Sequence, residues 1–167
     1  MLLVCVVAIV NEHEYKTERA PIHLETYGAG PCIAVALIFQ NRGFLFHTPF
    51  LHFDEDSIVE PFLDDVETFI PLDQRSSISP VIVGGSFENI FVKGLDIDDM
   101  NKMTADCRID VQQLSLATNF GEPRIRWGRP NESQTLRCDS LNQLVYWDTN
   151  FTRPKRGHTV HHRPFKF

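Results

Sequence analysis

Two residues in this 167-residue chain have the types and the setting to do chemistry together, Cys32 and His47. A thiol with an imidazole as its base is the minimum equipment of a cysteine nucleophile. A free thiol has a pKa of about 8.5, so little of it is thiolate at neutral pH, and an imidazole within reach raises that fraction. The same imidazole then donates its proton to the leaving group. Cys32 ends the stretch Thr26-Tyr-Gly-Ala-Gly-Pro-Cys32, and His47 follows the next apolar runs. Gly28 and Gly30 free the backbone of this loop to turn its amides toward an oxyanion. Thr26 offers a hydroxyl that can orient the imidazole or hold the loop, and an Asp or Glu as third member stays open. Gly84, Gly85 and Ser86 are candidates for a substrate groove, or simply a place of close backbone packing. The chain holds 4 Cys and 7 His, and cysteine is often buried as packing, so the joint pattern rather than either residue carries the signal.

No cofactor and no metal are expected. His158, His161 and His162 cluster near the C-terminus, but no further ligands accompany them at metal-binding spacing. The cysteines at 5, 32, 107 and 138 are too scattered for a disulfide framework, which points to a reducing compartment: the cytoplasm, or a host cytosol for a delivered effector. Residues 1–151 hold all 22 acidic residues against 11 of the 16 basic ones, a formal −11, while residues 152–167 carry +5. So acidic a body excludes general nucleic-acid binding and favours a basic protein partner. The apolar start, Met1 to Val10, is too short to span a membrane and lacks the basic flank of a signal peptide.

These residues need a scaffold. Leu2 to Val10 reads as a strand buried on both faces, and the charged Asn11 to Pro21 as a loop. Ile22 to Thr26 is a short strand leading into the glycine loop. Ile33 to Phe39 and Phe44 to His47 form a hairpin across Asn41-Arg42. That turn sets His47 opposite Ala36, on the same face as Cys32 but four residues away, about 13 Å at about 3.3 Å per residue. Ser57 to Ile70 is an amphipathic helix with a capping-box pattern at Ser57-Ile-Val-Glu60 and an acidic outer face. Val81 to Val83 is a strand broken by the glycine pair. Asp96 to Asp106 reads as a short helix, Cys107 to Thr118 as a long strand with a bulge near Gln112-Gln113, and Leu136 to Trp147 as a closing hairpin. The sum is an α/β single-domain sandwich with a mixed, mostly antiparallel sheet and two helices over residues 1–151, followed by a basic, mobile tail from 152.

The central pattern, Thr26-x-Gly28-x-Gly30-x-Cys32, an apolar strand and Gly43-x-x-x-His47, resembles the bacterial chemoreceptor glutamine deamidases. Val83-Gly84-Gly85-Ser86 is similar to a strand of that family that ends in a glycine pair. Protein N-terminal asparagine amidohydrolases share the Cys/His layout and the glycine pair, and the catalytic domain of the cytotoxic necrotizing toxins shares the Cys/His plan. The resemblance covers about residues 22–148 and implies a thiol-dependent amidohydrolase acting on a protein substrate. Cys32 is then the nucleophile, His47 the base and acid, and Thr26 the third member. Glutamine deamidation is the leading expectation. N-terminal asparagine hydrolysis, or a catalytically silent binding module on the same fold, are the alternatives. Pro31 departs from the small polar residue usual before the cysteine and, lacking an N–H, offers no oxyanion contact. Residues 119–130 lack the family's later glycine pair.

Overall fold

The computed structural model describes residues 6–30, 32–48, 58–86, 96–129 and 132–151. Among them the chain runs β1 (Val6–Ile9), β2 (Glu14–Arg19), β3 (Ile22–Ala29), β4 (Ile33–Phe39), β5 (Arg42–Thr48), α1 (Val59–Phe69), α2 (Leu72–Arg75), β6 (Val81–Gly84), α3 (Ile97–Ala117), β7 (Arg124–Trp127), β8 (Glu132–Asp139) and β9 (Leu144–Phe151). The strands form two mixed sheets, one ordered β1-β3-β8-β9 and the other β2-β5-β4-β6-β7. Only the β1–β3 and β6–β7 pairs are parallel. The expected α/β sandwich is therefore present, with its strands divided between two sheets and with three helices among the described residues.

Alternation along β4 builds the layers. Ile33, Val35 and Leu37 face one way and pack with Phe44 and Phe46 of β5, Phe62 and Val66 of α1, and Cys107 and Val111 of α3. Ala34 and Ala36 face the other way, against Leu24 of β3, Leu136 and Cys138 of β8 and Trp147 of β9. The β4 sheet is thus sandwiched between the second sheet and the helices, and its near-continuous apolar sequence is that of a strand covered on both faces.

Several expectations change. β1 is an edge strand, and Val6, Val7 and Ile9 are exposed, so it is not buried on both faces; residues 1–5 lie outside the described residues. The charged segment before Pro21 contains β2, whose half-buried Tyr15, Lys16 and Thr17 pair with β5 at the other sheet's edge. An edge position tolerates such polar alternation. Residues 107–117, expected as strand, continue α3. Thr104, Cys107, Val111, Ser115 and Thr118 are its buried positions, a helical period that short polar side chains concealed in the sequence. α1 begins after Ile58, which makes no side-chain cap bond; Ser57 of the expected capping box lies outside the described residues. So do Asp54 to Asp56, the tail from 152 and its three histidines.

The decisive difference is the β4–β5 hairpin. Phe39 pairs with Arg42, so the turn is Gln40-Asn41, with Gln40 at φ 53°. This shift by one residue at the turn moves the register by two and sets His47 opposite Ala34 rather than Ala36.

Candidate active site

With His47 opposite Ala34, Cys32 stands on the same face two residues away, just before β4 begins. Diagonal neighbours of this kind lie about 7–8 Å apart at Cα, and less at Cβ, in place of the 13 Å of the other register. The sheet thus brings the two sequence-predicted residues into one neighbourhood. Cys32 is 8% exposed and His47 3%.

Thr26 reaches His47 from the opposite sheet. Its Oγ1 lies 2.6 Å from the Val10 carbonyl oxygen and 2.7 Å from His47 Nδ1. A carbonyl only accepts, so the single hydroxyl hydrogen goes to Val10. His47 Nδ1 must then be the donor to Thr26, which leaves Nε2 unprotonated in the neutral ring. That Nε2 is buried and has no hydrogen-bond partner among the described residues. The site therefore holds an oriented imidazole with a lone pair ready to take a proton.

The glycine loop is built differently from the expectation. Gly28 and Ala29 belong to β3, where one extra residue bulges between Thr26, opposite Leu136, and Ala29, opposite Gln134. Gly28 takes φ +76°, open to glycine without strain, and the Gly30 N–H donates to Gly28 O at 2.7 Å. The Gly30 amide is thereby committed and is no oxyanion donor in this arrangement.

Gly84, Gly85 and Ser86 form a clasp rather than an open groove. Gly85 N donates to Cys32 O at 2.9 Å, and Ser86 N donates to Gly30 O at 2.8 Å. Ser86 is buried. Gly84 sits so close that a Cβ would stand 2.0 Å from the Cys32 carbonyl oxygen, at φ +99°. Arg108 of α3 donates from Nε to Gly85 O at 2.9 Å and lies over the Trp127 ring, so helix and β7 brace the clasp from behind. Gly128 N donates to Gly84 O at 2.7 Å. Gln134, which faces Gly128, is fully buried, and its amide makes no hydrogen bond among the described residues.

Sequence reasoning missed Glu12. It lies in the turn between β1 and β2, is exposed, and its charge acts on both Cys32 and His47. The turn is pinned on both sides of it: Val10 O takes the Thr26 hydroxyl, and His13 N donates to His47 O at 2.9 Å. An acidic residue two positions after an apolar run was the only signal available, and the charged segment it opens offers many such residues.

The surroundings of both groups favour their neutral forms. Burial pushes the Cys32 thiol up to about 12, and the charge of Glu12 adds to that shift. Burial lowers the His47 imidazole below its ordinary value; Glu12 opposes this and neighbouring His13 reinforces it. Cys107 and Cys138 likewise form no disulfide and are more deeply buried than Cys32. Among the described residues no three potential metal ligands come together, and no helix is long and apolar enough to cross a membrane. Neither any family model nor any curated protein matches this chain.

Proposed function

We propose that the chain is a cysteine-dependent amidohydrolase that converts a protein side-chain amide to an acid, with glutamine as the leading target. The observation that carries this reading is the Thr26–His47 bond, which fixes the tautomer and leaves a buried, unpartnered Nε2 on the face that bears Cys32. In the reaction, the sulfur attacks the amide carbon as the S–H proton passes to Nε2, and the carbonyl π pair moves to oxygen. Nε2–H then protonates the amide nitrogen, the C–N bond breaks, and ammonia leaves a thioester. Water attacks with Nε2 as its base. The C–S bond breaks, and the thiol is restored as the acid departs. In this reading the Cys32 backbone amide donates to the oxyanion. His47 and Cys32 need only tighten around a bound substrate, as catalytic hydrogen bonds commonly do.

Hydrolysis of an N-terminal asparagine is a second reading, favoured by the exposed Glu12 carboxylate, whose charge acts on the thiol and matches an α-ammonium group. Intact-mass analysis of incubated peptides tests both, because amide-to-acid conversion adds roughly one dalton, a change invisible in the heavy-atom shape of the side chain. Internal glutamine peptides and free N-terminal asparagine peptides separate the two. Cys32→Ala should abolish the gain. A gain that persists in this variant, or its absence from every peptide with the wild-type protein, would refute the proposal.

A further inference from the structure

Gln134 stands where the pattern of β8 calls for an apolar side chain. It continues the row of Leu136 and Cys138, which faces the β4 sheet from between the layers. It is fully buried, and neither its Nε2 nor its Oε1 has a hydrogen-bond partner among the described residues. Burying a carboxamide with both ends unpaired costs stability that a methionine of similar length would not. Because donor and acceptor are both unmet, the observation holds for either orientation of the amide. Its surroundings set it against the clasp. A Cβ on Gly128 would stand 3.4 Å from each amide atom of Gln134 and 3.0 Å from Ser86 Cβ, a space that glycine leaves clear. Ser86 N donates to Gly30 O and Gly85 N to Cys32 O, so the same clasp fastens the loop that ends at the thiol. On β3, Ala29 pairs with Gln134, and the Ala29 and Cys32 carbonyl oxygens both lie against Gly84. The connection from β7 to β8 is pinned as well: Glu132 Oε2 accepts from Arg126 Nη2 at 3.1 Å and from the Arg129 N–H at 2.9 Å. The segment that carries the amide is thus fixed at the end of the inter-sheet layer where Cys32 is held.

We propose that Gln134 binds the primary amide of the substrate: its Nε2 donates to the substrate carbonyl oxygen, and its Oε1 accepts from the substrate NH2. A primary carboxamide is the group that satisfies both ends of another at once. The proposal rests on the amidohydrolase reading and names what that site selects, a slim side chain ending in a carboxamide. Gln134 is as closed to solvent as His47, so both meet the amide only once it has entered between the sheets. As the sulfur attacks, the bond from Nε2–H strengthens on the oxygen that gains the negative charge, beside the Cys32 backbone amide. Ammonia takes with it the hydrogens that Oε1 had accepted. The carboxylate formed from the thioester then turns an oxygen without hydrogen toward Oε1, and this repulsion favours its release. An ester or a carboxylate lacks the NH2 from the start and is disfavoured for the same reason.

Alkylation of Cys32 reads this contact without turnover. Iodoacetamide carries a primary amide; methyl iodoacetate is neutral and of similar size, and does not. The ratio of their labelling rates at Cys32, mapped by peptide mass at one pH, is compared between wild type and variants. Gln134→Met keeps the length of the side chain and deletes both polar ends. The ratio of iodoacetamide to ester labelling should fall by about tenfold. The melting temperature should stay at or above that of wild type, because the side chain gives up no hydrogen bond among the described residues. Gln134→Asn, which draws the amide back by one methylene, should lower the ratio as well, and serves if the methionine variant does not fold. A ratio unchanged from wild type would overturn the proposal, and a lowered melting temperature with it would make Gln134 a structural residue. Internal glutamine peptides and their glutamate γ-methyl esters give the catalytic side. Gln134→Met should lower kcat/KM by about 100-fold for the amide and by less for the ester. Equal losses would overturn the pairing with the NH2. Absence of a mass gain from every amide with the wild-type protein would refute the amidohydrolase reading, with the alkylation ratio still deciding whether Gln134 recognises a carboxamide.

Discussion

Thr26 has one hydroxyl hydrogen and two partners, and that shortage is what orients the site. Because Val10 O takes the hydrogen, His47 can approach Thr26 only as a donor, and its lone pair is turned to the other end of the ring. Thr26→Val keeps the shape and deletes this control. It also leaves a buried carbonyl and a buried N–H unsatisfied, at a cost of about 1–3 kcal/mol. Turnover should fall by about 10- to 100-fold, part of what a positioned base supplies. KM should change little, because orientation matters most in the transition state. Thr26→Ser, which retains the oxygen, should recover most of the rate. Steady-state kinetics of both variants, with thermal melts to measure the stability cost, check this; a Thr26→Val protein as fast as wild type would reduce Thr26 to a loop residue. Thr26, Cys32 and His47 were legible in the sequence because each has a distinctive type at a distinctive offset. Glu12 was not. It is one of several acids in a polar segment, and only the three-dimensional closure of the β1–β2 turn lets its charge act on the thiol.

The elements that carry these residues were legible in proportion to the contrast of their apolar patterns. β4, β5, β6 and α1 stood out because their apolar residues repeat cleanly, and each is buried against the core as the repeat requires. The later part of α3 did not, since its buried positions mix Thr104 and Ser115 with Cys107 and Val111, which breaks up the apolar repeat. The hairpin register was missed for a different reason. The choice of turn, Gln40-Asn41 over Asn41-Arg42, shifts the register by two and leaves every side chain on its face, so the apolar alternation does not distinguish the two, yet it sets how near His47 comes to Cys32. The glycine clasp belongs to this scale too, and it separates two glycines that look alike in sequence. Gly28 at φ +76° has open space where a Cβ would go, so Gly28→Ala should cost only about 1–2 kcal/mol of backbone strain. Gly84→Ala drives a Cβ to 2.0 Å from the Cys32 carbonyl oxygen and cannot be accommodated without moving the loop. It should destabilise by more than about 4 kcal/mol, in the exceptional range for a point substitution. Urea unfolding of both variants gives the order, and comparable midpoints for the two would show that the clasp is not rigid.

At the scale of the whole molecule, the site lies between the two sheets while the helices cover the other face of the β4 sheet. This division follows from β4, whose small residues Ala34 and Ala36 face the sheet layer and whose larger Ile33, Val35 and Leu37 face the helices. Close approach of the sheets is what lets a threonine on β3 touch a histidine on β5. The helical layer is attached through α1, where Phe62 meets Phe46 edge-on at 5.1 Å between ring centroids and Tyr15 at 5.7 Å. The Tyr15 hydroxyl in turn donates to Asp65 at 2.8 Å, tying the edge strand β2 to a helix face that the sequence suggested was simply solvated. Phe62→Ala removes the centre of this contact and should cost about 3–5 kcal/mol, as truncation of a buried aromatic does. Because His47, Thr26, Glu12 and the clasp are held by sheet-to-sheet and turn hydrogen bonds, the variant should still show the wild-type pH midpoint for Cys32 alkylation when assayed well below its lowered melting temperature. The two measurements together locate the dependence of the site. A large loss of stability with an unchanged midpoint assigns site geometry to the two sheets. A midpoint that moves toward that of a free cysteine would mean that the helical layer, through α1 and β2, also sets the environment of the thiol, and that the turn carrying Glu12 is held from both sides of the β4 sheet.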